Sequence, residues 1–131
     1  MSITVNIVDG PLKATEIPAV GGAGAVITFE GIVRPTEENR PIEALDYQAY
    51  EPMAISELTT LASNVIIRHD LLALSVTHSR GRVPAGSCSF RLVVWSRHRR
   101  EAIAAIDDFI DRLKRDVPIW KSPVWTVTNG E

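Results

Sequence analysis

Apolar and polar residues alternate from Ile3 to Val8, with Ile3, Val5 and Ile7 on one face, and this predicts an opening strand. Residues 10–24 are rich in Pro, Gly and Ala and predict a connection with at most a short helix. The β-branched and aromatic run from Ala25 to Val33 predicts a second strand, in which Gly31 marks a bulge or a close backbone approach. Pro35 to Pro41 is polar and reads as a mobile loop, and Ile42 to Tyr50 as the returning strand. Pro52 then opens a helix at its favoured first position, with Ala54, Leu58, Leu61 and Val65 as the buried stripe. Two further strands, Leu72 to His78 and Ser87 to Ser96, are joined through Gly81, Pro84 and Gly86. A second helix runs from about His98 to Val117, with Ile103, Ile106, Ile110, Leu113 and Val117 on one face. Val124 to Val127 closes the chain as a short strand.

Strands outnumber helices and most connections are hairpin-like. The pattern therefore predicts an α+β fold, with helices packed on a mainly antiparallel sheet. A chain of 131 residues fits a single domain, 1–131, that buries its own core. With 45% apolar and 23% charged residues it has the composition of a soluble globular protein. No apolar run approaches the roughly 20 residues of a membrane-spanning helix, and the first residues lack the pattern of a secretory signal. The lone cysteine, Cys88, excludes an internal disulfide and reads as a small buried hydrophobe in a strand. These features point to a cytoplasmic setting.

A formal net charge of −2 argues against a protein that coats nucleic acid. Its distribution is less even than its total. No acidic residue occurs between Asp70 and Glu101, a stretch that holds six arginines together with His78 and His98. Either this window creates a positive field for an anion, or its arginines pair with acidic faces elsewhere. Within it, Ser96-Arg97-His98-Arg99-Arg100 falls where a strand hands over to the second helix. Ser96 is a candidate helix cap, and the first-turn N–H groups with His98 and the arginines suit a phosphate. Cationic side chains there oppose the helix dipole, which fits an expected anion.

A second cationic element straddles the other end of that helix. Pro118 stops the helix near Val117, so Lys114 lies on its last turn and Lys121 on the extended segment beyond, pinned by Ile119 and Trp120. Two amines from different elements can then converge on one anionic ligand. Other chemistries find less support. Gly21-Gly22-Ala23-Gly24 precedes a strand and has no following Lys-Ser/Thr, so it is not a phosphate loop. His69, His78 and His98 show no metal-ligand spacing, and no Gly-X-Ser-X-Gly elbow marks a serine nucleophile.

Taken in order, these segments resemble the large, catalytic subunit of molybdopterin synthase. The likeness rests on Gly24–Arg34, Leu45–Ala54, His78–Gly86, Ser96–Arg99 and the Lys114–Lys121 element, and covers roughly residues 23–122. It implies an α/β-hammerhead-like fold with an additional small β portion. The activity it implies is sulfur transfer that turns cyclic pyranopterin monophosphate into molybdopterin, in molybdenum cofactor biosynthesis. The donor would be a small ubiquitin-like subunit whose C-terminal Gly-Gly is a thiocarboxylate. The assembly would be a homodimer of large subunits inside a heterotetramer, with no cofactor and no metal required.

Carried over by position, Arg34, His98, Arg99, Lys114 and Lys121 match the family's pocket residues. His98 and Arg99 would hold the substrate phosphate with Arg34. Lys114 would be the leading catalytic group, and Lys121 would assist it while positioning the pterin or the tail. The chain departs from the family in two places: His78-Ser79-Arg80-Gly81 stands where His-Arg-X-Gly is usual, and Pro35 follows Arg34 where a small polar residue is common. The competing reading is a non-catalytic module for a phosphate-bearing ligand or RNA, using the acid-free window. Only 6% of residues are aromatic, which provides poorly for base stacking.

Overall fold

Seven strands and two helices alternate along the chain in the order β1(Ser2–Asp9), β2(Ala25–Ile32), β3(Thr36–Glu37), β4(Arg40–Ala49), α1(Met53–Arg68), β5(Ala73–Pro84), β6(Cys88–Ser96), α2(Arg99–Asp116), β7(Ile119–Trp125). The structure is a computed structural model and describes residues 2–127. The strands form one sheet in the order β2-β6-β5-β4-β3, with β1 added beside β5 and β7 beside β4. Only the β1–β5 pairing is parallel; the others are antiparallel, as the α+β reading expects.

β5 is the shared spine, and it is longer than its apolar run. Residues 73–80 pair with β1, and residues 73–78 also pair with β6. From Gly81 to Pro84 the same strand pairs with β4 instead. Gly81 adopts φ +83°, a left-handed conformation that lets the strand turn from one half of the sheet to the other. What reads in sequence as a connection is thus the corner of a continuous strand. At position 79 a fully buried Ser donates its hydroxyl to the Gly10 carbonyl at 2.7 Å. Arg80, one residue on, lies outside and pairs with Asp9 and Glu51.

The main core fills the space between the helices and the β5–β6 half of the sheet. Leu58, Ala62, Val65 and Ile66 of α1 meet Leu74, Val76, Leu92 and Val94, with Ala102, Ala105 and Phe109 of α2. The apolar face of α2 lies slightly off the expected stripe: small alanines allow close approach at 102 and 105, and Ile103 is exposed. A second, smaller core of Val33, Ile42, Leu45 and Val83 holds the β4 half together. The helix-free segment 10–24 crosses the opposite face, where Val20 and Ala23 pack against Trp95. There Gly24 approaches the Arg97 carbonyl so closely that a Cβ would lie 2.2 Å from its oxygen, so only glycine fits.

Four local expectations need correction. Residues 36–41 form a tight hairpin instead of a loop, because Glu38 and Asn39 take positive φ as a two-residue turn requires. β7 begins at Ile119 and not at Val124: Pro118 ends the helix as expected, but the chain pairs with β4 at once. Ser96 does not cap α2; its hydroxyl bonds the His98 carbonyl, and His98 is the capping position. Pro52 likewise stands one residue before the first turn of α1.

Where α1 ends, His69 places Nε2 2.8 Å from Oδ2 of Asp108, and Arg112 donates to the other oxygen at 2.8 Å. This joins the two helices beside the core. Burial raises the Asp108 pKa, but the hydrogen bonds from His69 and Arg112 outweigh it and hold the carboxyl below its ordinary value of 3.8. A carboxyl depressed in the folded state contributes stability above its unfolded pKa and loses it as pH falls through the folded value. Asp108→Asn should therefore lower the melting temperature at about pH 6, and the gap from wild type should close toward about pH 3. Thermal unfolding across that range checks it, and a gap that stays constant would contradict the assignment.

Candidate active site

Three elements end around one opening. The bulged end of β2 at Gly31 and Ile32 delivers Arg34, the last turn of α2 delivers Lys114, and β7 delivers Lys121. They line a cavity of about 800 Å³ that lies where the two halves of the sheet part and α2 closes over the gap. All three cationic residues are exposed. Lys121 Nζ stands 3.5 Å from Glu37 Oε1 of the β3–β4 hairpin, so the unexpected hairpin contributes a wall. Lys114 has no ionic partner among the described residues. Of the two apolar residues expected to anchor Lys121, Ile119 packs on the core, whereas Trp120 is 60% exposed at the cavity edge.

The floor is aromatic. Phe90 packs edge-on to Phe29 at 6.1 Å and meets His78 at 5.7 Å, and His78 stands edge-on to Tyr47 at 5.2 Å. The Tyr47 and Ser89 hydroxyls share a hydrogen bond of 2.9 Å. Burial pushes the Tyr47 phenol up and more than offsets that bond, so it stays protonated. Burial likewise pushes the His78 imidazole down, so it stays neutral. Neither Tyr47 nor Ser89 stands out in the sequence, since each is a polar residue in an alternating strand. His78 carries a weak signal through its place in the acid-free window.

His98 and Arg99 stand elsewhere. At the start of α2 they line a separate recess of about 280 Å³ with Arg100 and Glu101. Within one chain, the expected pocket residues thus form two groups, one at each end of the same helix. The acid-free window divides in a similar way: Arg80, Arg91 and Arg97 pair with acidic side chains from other segments. Of the window's other arginines, Arg99 and Arg100 line the recess at the start of α2, and Arg82 is exposed and lines neither recess. Cys88 is half-buried, its thiol 3.3 Å from the Phe90 carbonyl and pushed up by burial. Among the described residues no cluster of three His, Cys, Asp or Glu could hold a metal, and no helix is long and apolar enough to cross a membrane.

The family model described as "MoaE protein" matches residues 7–116. The chain belongs to the MoaE family. A molybdopterin synthase catalytic subunit of a Nostoc species is 37% identical over 119 residues, 88% of this chain and 72% of the relative. The Arabidopsis thaliana relative of the same name is longer, and the chain spans 54% of it. The crystal structure of molybdopterin synthase from Staphylococcus aureus matches with a TM-score of 0.84 at 30% identity, covering 93% of this chain and 91% of that one. One chain of a Helicobacter pylori complex of subunits 1 and 2 of molybdopterin-converting factor shares the fold, with a TM-score of 0.68 at 24% identity over 95% of this chain and 91% of that one. Membership makes the chain a catalytic subunit of molybdopterin synthase, a transferase of molybdenum cofactor biosynthesis, and not a non-catalytic module.

Proposed function

We propose that the chain takes sulfur from the thiocarboxylated C-terminal Gly-Gly of a small ubiquitin-like subunit and places it on cyclic pyranopterin monophosphate. Each transfer forms a C–S bond on the pterin side chain as a C–O bond at the same carbon breaks, its oxygen leaving as water or with the opened phosphate ester. Water then cleaves the acyl C–S bond and leaves the tail as a carboxylate. Two such transfers build the dithiolene. The observation that carries this reading is the convergence of Arg34, Lys114 and Lys121 on one aromatic-floored cavity. The charged end of an extended Gly-Gly tail needs a cation-lined entry, and Arg34, Lys114 and Lys121 at the rim suit it. Lys114 is the leading catalytic group, exchanging a proton with the reacting atoms or polarising the acyl-sulfur centre. Arg34 holds phosphate. Lys121 assists catalysis and positions the pterin or the tail.

His98 and Arg99 join this site in a homodimer, where a second copy of the chain brings its α2 start to the first copy's cavity and completes the phosphate clamp. Two-fold symmetry makes two such composite sites per dimer, the core of a heterotetramer with one small subunit for each site. The reaction runs in the cytoplasm. Mixing the purified chain with thiocarboxylated small subunit and cyclic pyranopterin monophosphate should yield molybdopterin, measured as its fluorescent oxidation product. Failure of the wild-type chain to form any product overturns the proposal.

A further inference from the structure

His78 is more than nine-tenths buried, borders the cavity, and has no task in the sulfur-transfer scheme. Its Nδ1 lies 2.8 Å from the Ser79 carbonyl oxygen. A carbonyl only accepts, so Nδ1 carries the proton, and Nε2 of the neutral ring is left with a lone pair. Tyr47 and Phe90 flank the imidazole at 5.2 Å and 5.7 Å and fix its plane. No described residue donates to Nε2. Nor is that atom sealed in the core, since Glu101 Oε2 is the one fully buried, unpaired side-chain N or O atom among the described residues. Nε2 therefore keeps contact with open space, and the open space beside His78 is the cavity.

The floor thus combines flat apolar walls from Phe29 and Phe90, one fixed acceptor, and the Tyr47–Ser89 hydroxyl pair. All its cations are at the rim. A phosphate or a thiocarboxylate has no use for a neutral acceptor, whereas a partly reduced pterin carries N–H donors along its ring edge. We propose that His78 Nε2 accepts a hydrogen bond from a ring N–H of the pterin and so sets how the heterocycle lies in the cavity. This rests on the sulfur-transfer reading above and adds the residue that recognises the ring. A neutral acceptor held by burial also discriminates, because a ligand without the donor leaves Nε2 unpaired.

The test uses the reconstituted complex. His78→Phe keeps the aromatic packing and removes Nε2, and it should raise KM for cyclic pyranopterin monophosphate about tenfold, the loss of one such bond, with a smaller change in kcat. His78→Gln, which can offer an amide oxygen, should recover most of that loss. In wild type, the ¹⁵N resonance of His78 Nε2 should be that of an unprotonated ring nitrogen and should move toward the protonated range on saturation with substrate. This second measurement stands even where His78→Phe fails to fold. An unmoved resonance, or a folded His78→Phe with wild-type KM, overturns the inference and leaves sulfur transfer intact if Lys114→Ala is still inactive. A wild-type enzyme that makes no product overturns both.

Discussion

Lys114→Ala is expected to lower molybdopterin formation by about 10²–10⁴-fold, the range for loss of a positioned proton-transfer group. The fold should be untouched. Lys114 is exposed on the last turn of α2 and has no ionic partner among the described residues, so its removal leaves no orphaned charge. Its loss of favourable interaction with the helix C-terminus is worth about 0.3–1 kcal/mol, which would lower the melting temperature by at most a few degrees. A large loss of rate with a nearly unchanged melting curve separates a chemical role from a structural one. Lys114→Arg refines the result: it keeps the charge but cannot give up a proton, so recovery with Arg would assign Lys114 an electrostatic task instead.

Mixing variants extends the same experiment to the proposed dimer. If Lys114 of one copy and His98 of the other serve the same site, Lys114→Ala and His98→Ala are each inactive alone. Randomly remixed, half the dimers carry one copy of each, and one of their two sites is intact. Activity should return to roughly a quarter of wild type. No recovery would place both residues in one chain's site, against their separation into two recesses at opposite ends of α2.

The sequence made the framework and the rim legible, but not the floor. The strands show because Ile3, Val5 and Ile7, or the run 25–32, repeat with the period of a pleat, and α2 shows because Pro118 ends it. Polar residues 36–41 concealed a hairpin, since nothing apolar marks a pairing held by two left-handed turn residues. Arg34, Lys114 and Lys121 announce themselves as charges at element ends, and the resemblance ties them together. Tyr47, His78 and Ser89 do not, because a polar side chain inside a strand reads as the solvent face of an alternation. They line a cavity only because β5 turns at Gly81 and the two halves of the sheet separate. That is a consequence of tertiary geometry, and no local pattern encodes it. His98 and Arg99 are expected from the sequence to hold an anion, yet their distance from the other cations emerges only when the helix between them is placed.

The largest stability effect is expected at Phe109. Its ring is fully buried on α2 and meets Phe90 at 6.3 Å, which continues through His78 to Tyr47 at the cavity floor. Phe109→Ala leaves a void between two rigid layers, a helix and a sheet, that cannot collapse onto each other, so the loss should be about 3–5 kcal/mol. For a chain of this size that corresponds to roughly 10–20 °C in melting temperature. Phe109→Leu retains most of the volume and should cost under about 1.5 kcal/mol. The floor should feel the change as well. With Phe109 shortened, Phe90 loses the ring behind it and holds His78 less firmly. Well below its melting temperature, Phe109→Ala should therefore show a raised KM for the pterin alongside its lower stability, whereas Lys114→Ala loses rate at unchanged stability. Urea unfolding and steady-state kinetics on the same preparations distinguish the two. A Phe109→Ala protein that melts within a few degrees of wild type would mean that α2 is not held by this contact.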